Sequence, residues 1–126
     1  AEESRAEIIA RTITTGGTII NPGHIQSNAK ETKGHLECKG LILQDGVIHA
    51  IPELEGTVSG ADLSHEAAVG KVAQEEIEYL MARGMDEEQA TSTIVRGFLS
   101  VDIPGLPPDL QETINKTIQE SGESMF

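Results

Sequence analysis

The chain has 126 residues, enough for one domain on the usual scale of about 150 residues each. Acids outnumber bases 21 to 9 for a formal net charge of -12, and only Tyr79, Phe98 and Phe126 are aromatic; phosphate neutralisation and base stacking are both unprovided for, so no nucleic acid is expected as a partner. No apolar run approaches the ~18 residues of a membrane span, and a single cysteine, Cys38, excludes an internal disulfide and points to a reducing compartment, so the expected location is cytoplasmic, away from membranes.

Residues 1–63 hold nine of the fourteen isoleucines and eight of the thirteen glycines. The apolar runs are Ile8-Ile9, Thr18-Ile19-Ile20, Leu41-Ile42-Leu43 and Val47 to Ile51. Between them stand breaks at Gly16-Gly17, Asn21-Pro22-Gly23, Lys33-Gly34 and Asp45-Gly46. Short β-branched runs bounded by turn residues predict strands, so this half is all-β. Two architectures fit. Asp45-Gly46 is suited to a hairpin turn in an antiparallel meander. Alternatively, glycine-punctuated strands form successive sides of a parallel coil that winds as a solenoid. Periodicity does not choose between them.

Residues 64–126 predict helices. From Ala73 to Arg83, Ile77, Leu80 and Met81 share one face, Glu75 and Glu76 come early, Arg83 comes late, and Gly84 is the stop. Asp86 caps a second helix with Gln89 as its capping-box partner. Its face carries Ala90, Ile94, Val95 and Phe98, and Pro104 follows its end. Leu106-Pro107-Pro108-Asp109 opens a third helix with the stripe Leu110, Ile114 and Ile118, ending by Gly122, and residues 123–126 are expected to fray. Glu112 and Lys116 are spaced to pair on its outer face. This half is the more acidic, with twelve acids against four bases, where residues 1–63 have nine against five. The start at Ala1, without methionine, and the small core that 126 residues allow suggest a fragment of a longer protein.

Few residues offer chemistry. Cys38 lies in His35-Leu36-Glu37-Cys38, where strand alternation sets Leu36 and Cys38 on one face and His35 and Glu37 on the other. It reads either as a small buried hydrophobe or as a thiolate ligand or sulfur carrier, and one cysteine cannot hold a four-thiolate cluster. His24 follows Pro22-Gly23 and reads as a solvated turn residue, whereas His49 alternates with Val47 and Ile51 and reads as a packed histidine. His65-Glu66 stands at the strand-to-helix junction, where ligand sites collect. Phosphate-binding glycine loops, nucleophile elbows and paired zinc motifs are missing.

One longer pattern is specific. His65-Glu66-Ala67-Ala68-Val69-Gly70, then Tyr79-Leu80, Arg83-Gly84, Ala90 and Gly97-Phe98 resembles the C-terminal core of the SufB/SufD family, with Ala82 where the family usually has serine. Upstream, Gly34-His35-Leu36-Glu37-Cys38 followed by Leu41-Ile42-Leu43 is similar to the family's last strands. The resemblance implies a mainly β fold with C-terminal helices: residues 1–63 as the last coils of a right-handed parallel β-helix, residues 64–126 as a small helical domain. It implies a non-enzymatic scaffold of the SUF iron–sulfur assembly system, docking the ABC-type ATPase SufC and pairing with a SufB- or SufD-type protomer as a homo- or heterodimer. His65-Glu66-Ala67 leans toward SufB. By the same resemblance, Cys38, His65 and Glu66 would hold iron and a transient iron–sulfur cluster, and Tyr79, Arg83, Gly97 and Phe98 would meet partners. A 27-residue separation suggests that Cys38 and His65 lie one coil apart and approach one site. The alternative is a β-solenoid interaction module that kept the docking helices and has no cluster chemistry.

Overall fold

A computed structural model describes residues 1–100 and 105–124. They form two units by the density of their internal contacts, residues 1–71 and 72–126. The first contains five ten-residue strands: β1 (Arg5–Thr14), β2 (Thr18–Ser27), β3 (Lys33–Ile42), β4 (Val47–Gly56) and β5 (Asp62–Lys71). The strand region thus continues to Lys71, past the compositional change near residue 63, and it takes in His65 and Glu66.

Consecutive strands do not pair. β1, β3 and β5 form one parallel sheet in that order, and β2 and β4 form a second. Each paired residue lies 28 or 29 positions from its partner, as in Arg5 with Lys33, Thr18 with Val47 and Lys33 with Asp62. The hairpin at Asp45-Gly46 is therefore not formed. β3 and β4 belong to different sheets, and the segment between them is a corner containing Gln44 at φ 61°. Corners also stack through the backbone: Leu43 N–H donates to Thr14 O (2.8 Å), Thr57 N–H to Ser27 O (2.9 Å) and Asp62 N–H to Thr32 O (2.9 Å). Ser27 and Thr32 join their hydroxyls in the buried corner between β2 and β3.

Asn21-Pro22-Gly23 does not break the chain; it lies inside β2. A two-stranded sheet has only edge strands, and an edge tolerates the loss of the amide hydrogen that Pro22 lacks. Gly23 is required for a different reason than turning. A Cβ built there would stand 2.9 and 3.0 Å from the two methyls of Leu36, which is fully buried. The core joins both sheets: Ile25 of β2 with Leu36 and Cys38 of β3, flanked by Ala10, Ala50 and Leu63. Alternation then turns His35, Glu37 and Lys39 to the opposite, outer face, where each is half-buried. In β4 the inward residues include Ile48 and Ala50, so His49 is exposed with Val47 and Ile51 rather than packed among them. His24 is exposed too, but on β2 and 3.5 Å from Glu55 rather than in a turn.

The second unit contains α1 (Gln74–Ala82), α2 (Glu87–Leu99) and α3 (Pro108–Ser124). Local signals set their ends. Gly84, at φ 100°, adopts the left-handed conformation that stops α1, and its N–H donates to Met81 O. Asp86 accepts from the Gln89 N–H while the Gln89 side chain accepts from the Asp86 N–H, the expected capping box. Ile77, Ala90, Thr91 and Val95 are buried. Met81 and Leu110, expected on the apolar stripes, are exposed, and Lys116 pairs with Glu120 rather than Glu112. Pro104 and residues 125–126 lie outside the described residues.

Leu36→Ala should lower the strand unit's unfolding free energy by about 2–5 kcal/mol, because a fully buried leucine leaves both transfer energy and a cavity; chemical denaturation monitored by circular dichroism measures it. Gly23→Ala tests the close approach from the other side. Overpacking against the Leu36 methyls should cost about 1–3 kcal/mol, and the double variant Gly23→Ala/Leu36→Ala should lose less than the two single losses added.

Candidate functional site

The three-stranded sheet presents the chemistry, and its register decides what meets. In β3 and β5, Leu36 pairs with His65, Glu37 with Glu66, and Cys38 with Ala67. The local repeat is 29 residues, so the 27-residue separation leaves Cys38 and His65 diagonal to each other rather than stacked. An offset of two keeps both on the inner face. Cys38 is closed in the core at 1% exposure, and His65 is exposed. The reason lies in the strand count: three strands face two, so the inner face of β5 has only partial cover within the unit.

Glu66 faces the other way. On the outer face it stands in register with Glu37, and like charges placed side by side on neighbouring strands repel. The sheet answers with cations two residues further along. Lys39 Nζ lies 3.3 Å from Glu37 Oε2 and 3.3 Å from Glu66 Oε1, bridging β3 to β5. Arg11 of β1 forms an ion pair with Glu37 Oε1, so a continuous charge network crosses all three strands. His35 shares this face, and its Nδ1 is hydrogen-bonded to Ser64 Oγ at 2.9 Å. His35 and Ser64 also line a cavity of about 200 Å³ with Arg5, Lys33 and Asp62.

Burial by itself would raise the Glu37 carboxyl, but hydrogen bonds and charge from Arg11 and Lys39 outweigh it and hold its pKa below the ordinary value. The Lys39 ammonium is shifted upward by its hydrogen bonds to Glu66 and Glu37. Sequence reasoning set His35 and Glu37 on a common face without connecting them to Glu66. The missing information was the 29-residue register, which no local pattern announces.

The other expected site residues lie in the helical unit. Tyr79 is 61% exposed on α1, and Arg83 caps that helix with its guanidinium carbon 5.5 Å from the Tyr79 ring centre. Arg83 Nη1 donates to Tyr79 Oη at 3.3 Å. Gly97 is exposed on α2, and Phe98 beside it is half-buried. Tyr79 and Arg83 form one paired surface feature, while Gly97 and Phe98 belong to another helix.

With this geometry in place, comparison with known proteins gives a consistent result. A family model described as "SUF system FeS cluster assembly, SufBD core domain" matches residues 1–98. A protein of Archaeoglobus fulgidus named "Iron-sulfur cluster assembly SufBD family protein" is 59% identical over 119 residues, covering 94% of this chain and 32% of the relative. A protein of the same name from Methanothermobacter thermautotrophicus is 48% identical over 124 residues, covering 97% of this chain and 30% of its own. The chain spans about a third of the length of these curated relatives.

The charge network has a testable acid limb. A carboxylate whose folded pKa is lowered adds stability above its unfolded value of about 4.5, and that contribution disappears as pH falls through the lower folded value. Glu37→Gln should therefore reduce stability at neutral pH and flatten the loss of stability below pH ~4.5. Urea unfolding of both proteins across the acid range measures the difference.

Proposed function

Because the chain belongs to the SufBD family of iron–sulfur cluster assembly proteins, we propose that it is the cluster-building end of a SUF scaffold, with iron and sulfide as its cargo. Cys38 supplies the thiolate and His65 a neutral nitrogen ligand. Such a mixed and incomplete ligand set suits a protein that must release what it assembles. The observation carrying this reading is the placement of Cys38 and His65 on one face of adjacent strands, two residues out of register. Glu66 has a supporting part: its bridge to Lys39 ties β5 to β3 beside His65. Because Cys38 is buried between the sheets, ligation requires the sheets to part locally. An ATPase cycle in a partner is a suitable source of that work.

The proposal extends to assembly. The parallel coils are read as the last turns of a right-handed β-helix that extends through the longer family members. A SufB- or SufD-type protomer, as homo- or heterodimer, pairs along the strand region, where an uncovered edge invites another chain. The SufC-type ATPase docks on the helical unit, with Tyr79 and Arg83 as one contact and the Gly97-Phe98 segment as another. The His65-Glu66-Ala67 sequence favours the SufB-like role. Cytoplasmic location fits the lone free cysteine.

A second reading is favoured by one observation. Cys38 packs with Ile25 and Leu36 as an ordinary core residue, as expected of a solenoid interaction module without cluster chemistry. Anaerobic reconstitution with iron and sulfide separates the two. The scaffold should gain the visible absorption of a cluster, and Cys38→Ala and His65→Ala, each confirmed folded, should lose most of it; an unaltered chain that gains no such absorption leaves the interaction module standing, and normal assembly by both variants overturns the assignment of Cys38 and His65 as ligands. Capture of a SufC-type ATPase should fall in Tyr79→Ala/Arg83→Ala, and undiminished capture would exclude that contact.

A further inference from the structure

On the outer face of the three-stranded sheet, one ring nitrogen of His35 and one oxygen each of Glu37 and Glu66 lie within 4.8 Å of one another. The two carboxylates already converge on a cation, since the Lys39 ammonium is 3.3 Å from an oxygen of each. The imidazole is oriented from behind, by the 2.9 Å hydrogen bond between Nδ1 and Ser64 Oγ. A contact of that kind fixes the ring of a ligating histidine. We propose that His35, Glu37 and Glu66 form a binding site for a divalent transition-metal cation such as Fe²⁺ or Mn²⁺, which replaces the Lys39 ammonium between the two carboxylates.

The donor set selects the class of ion. Two carboxylates and one imidazole suit ions of intermediate hardness, with the remaining coordination positions left to water. Ligand atoms at ~2.1 Å from one such ion are ~3.0 Å apart when adjacent and ~4.2 Å when opposite, so the trio must close by up to about 1.8 Å. Glu66 supplies that movement, because its side chain is 54% exposed. Glu37 keeps one oxygen on Arg11 and turns the other toward the cation, which holds it in place throughout the exchange. Arg11 and Lys39 together offset the two carboxylate charges, so the incoming ion must displace the Lys39 ammonium rather than join it. Lys39 is therefore the competitor, and the site is tuned by its presence. This inference goes beyond the cluster chemistry proposed above, whose ligands Cys38 and His65 lie on the inner face; Glu66 is the one residue the two readings share.

Isothermal titration of the full chain with Mn²⁺, with free ion counted by electron paramagnetic resonance, tests the site. Lys39→Met should bind Mn²⁺ about tenfold more tightly than the unaltered chain, and adding His35→Ala or Glu37→Gln should reverse that gain. Cys38→Ala/His65→Ala should bind as the unaltered chain does. A gain of affinity is not produced by misfolding, so Lys39→Met remains decisive even where a loss variant is unstable. Equal affinity in Lys39→Met and the unaltered chain overturns the proposal. So does persistence of the gain after His35→Ala, or loss of binding in Cys38→Ala/His65→Ala, which would place the ion on the inner face.

Discussion

Parallel pairing of each strand with the one two places later is the constraint on which the strand unit depends. It sets the repeat at 28 or 29 residues and makes every contact across a sheet a contact between distant parts of the chain. Side chains one repeat apart then share a face and form rows. Backbone hydrogen bonds at the corners follow the same repeat, so the corners stack with the strands. A parallel pair cannot be closed by a two-residue turn, and here the opposite sheet serves as the crossover.

The register gives the two faces of one sheet different physics. Inside, Leu36 and Cys38 meet Ile25 across the gap between sheets, and Gly23 leaves room for the Leu36 methyls. Outside, the same register aligns two carboxylates that repel until Lys39 and Arg11 are placed among them. His65 and Glu66 are neighbours in sequence but lie on opposite faces of the sheet for this reason. One faces the thiol side and the other the charged side, so the soft sulfur donor and the hard oxygen donors occupy opposite faces.

The helical unit follows a more local logic. Gly84 stops α1 because a left-handed residue is needed there, and Asp86 starts α2 because its side chain satisfies an otherwise unpaired amide. Its buried set, Ile77, Ala90, Thr91 and Val95, agrees with the apolar periodicity at three of four positions. Thr91 is the addition, and its hydroxyl is satisfied by donating to Glu87 O at 2.8 Å.

The sequence by itself determined whatever depends on neighbours within about four residues. It showed an all-β half followed by helices, the capping box at Asp86 and Gln89, the stop at Gly84, and the facing of Leu36 and Cys38 away from His35 and Glu37. Its family pattern, from His65 through Phe98, agrees with the SufBD core match over residues 1–98. Tertiary structure decided the rest. It excluded the Asp45-Gly46 hairpin, kept Pro22 and Gly23 inside a strand, exposed His49, and set Cys38 diagonal to His65. It also brought Glu66 beside Glu37, within reach of His35 and Lys39. The physical reason is common to all of these. Alternation along a strand is a two-residue property that sequence displays, whereas registry between strands 29 residues apart is set by the corners and by the fit of side chains such as Leu36 into the space that glycine leaves.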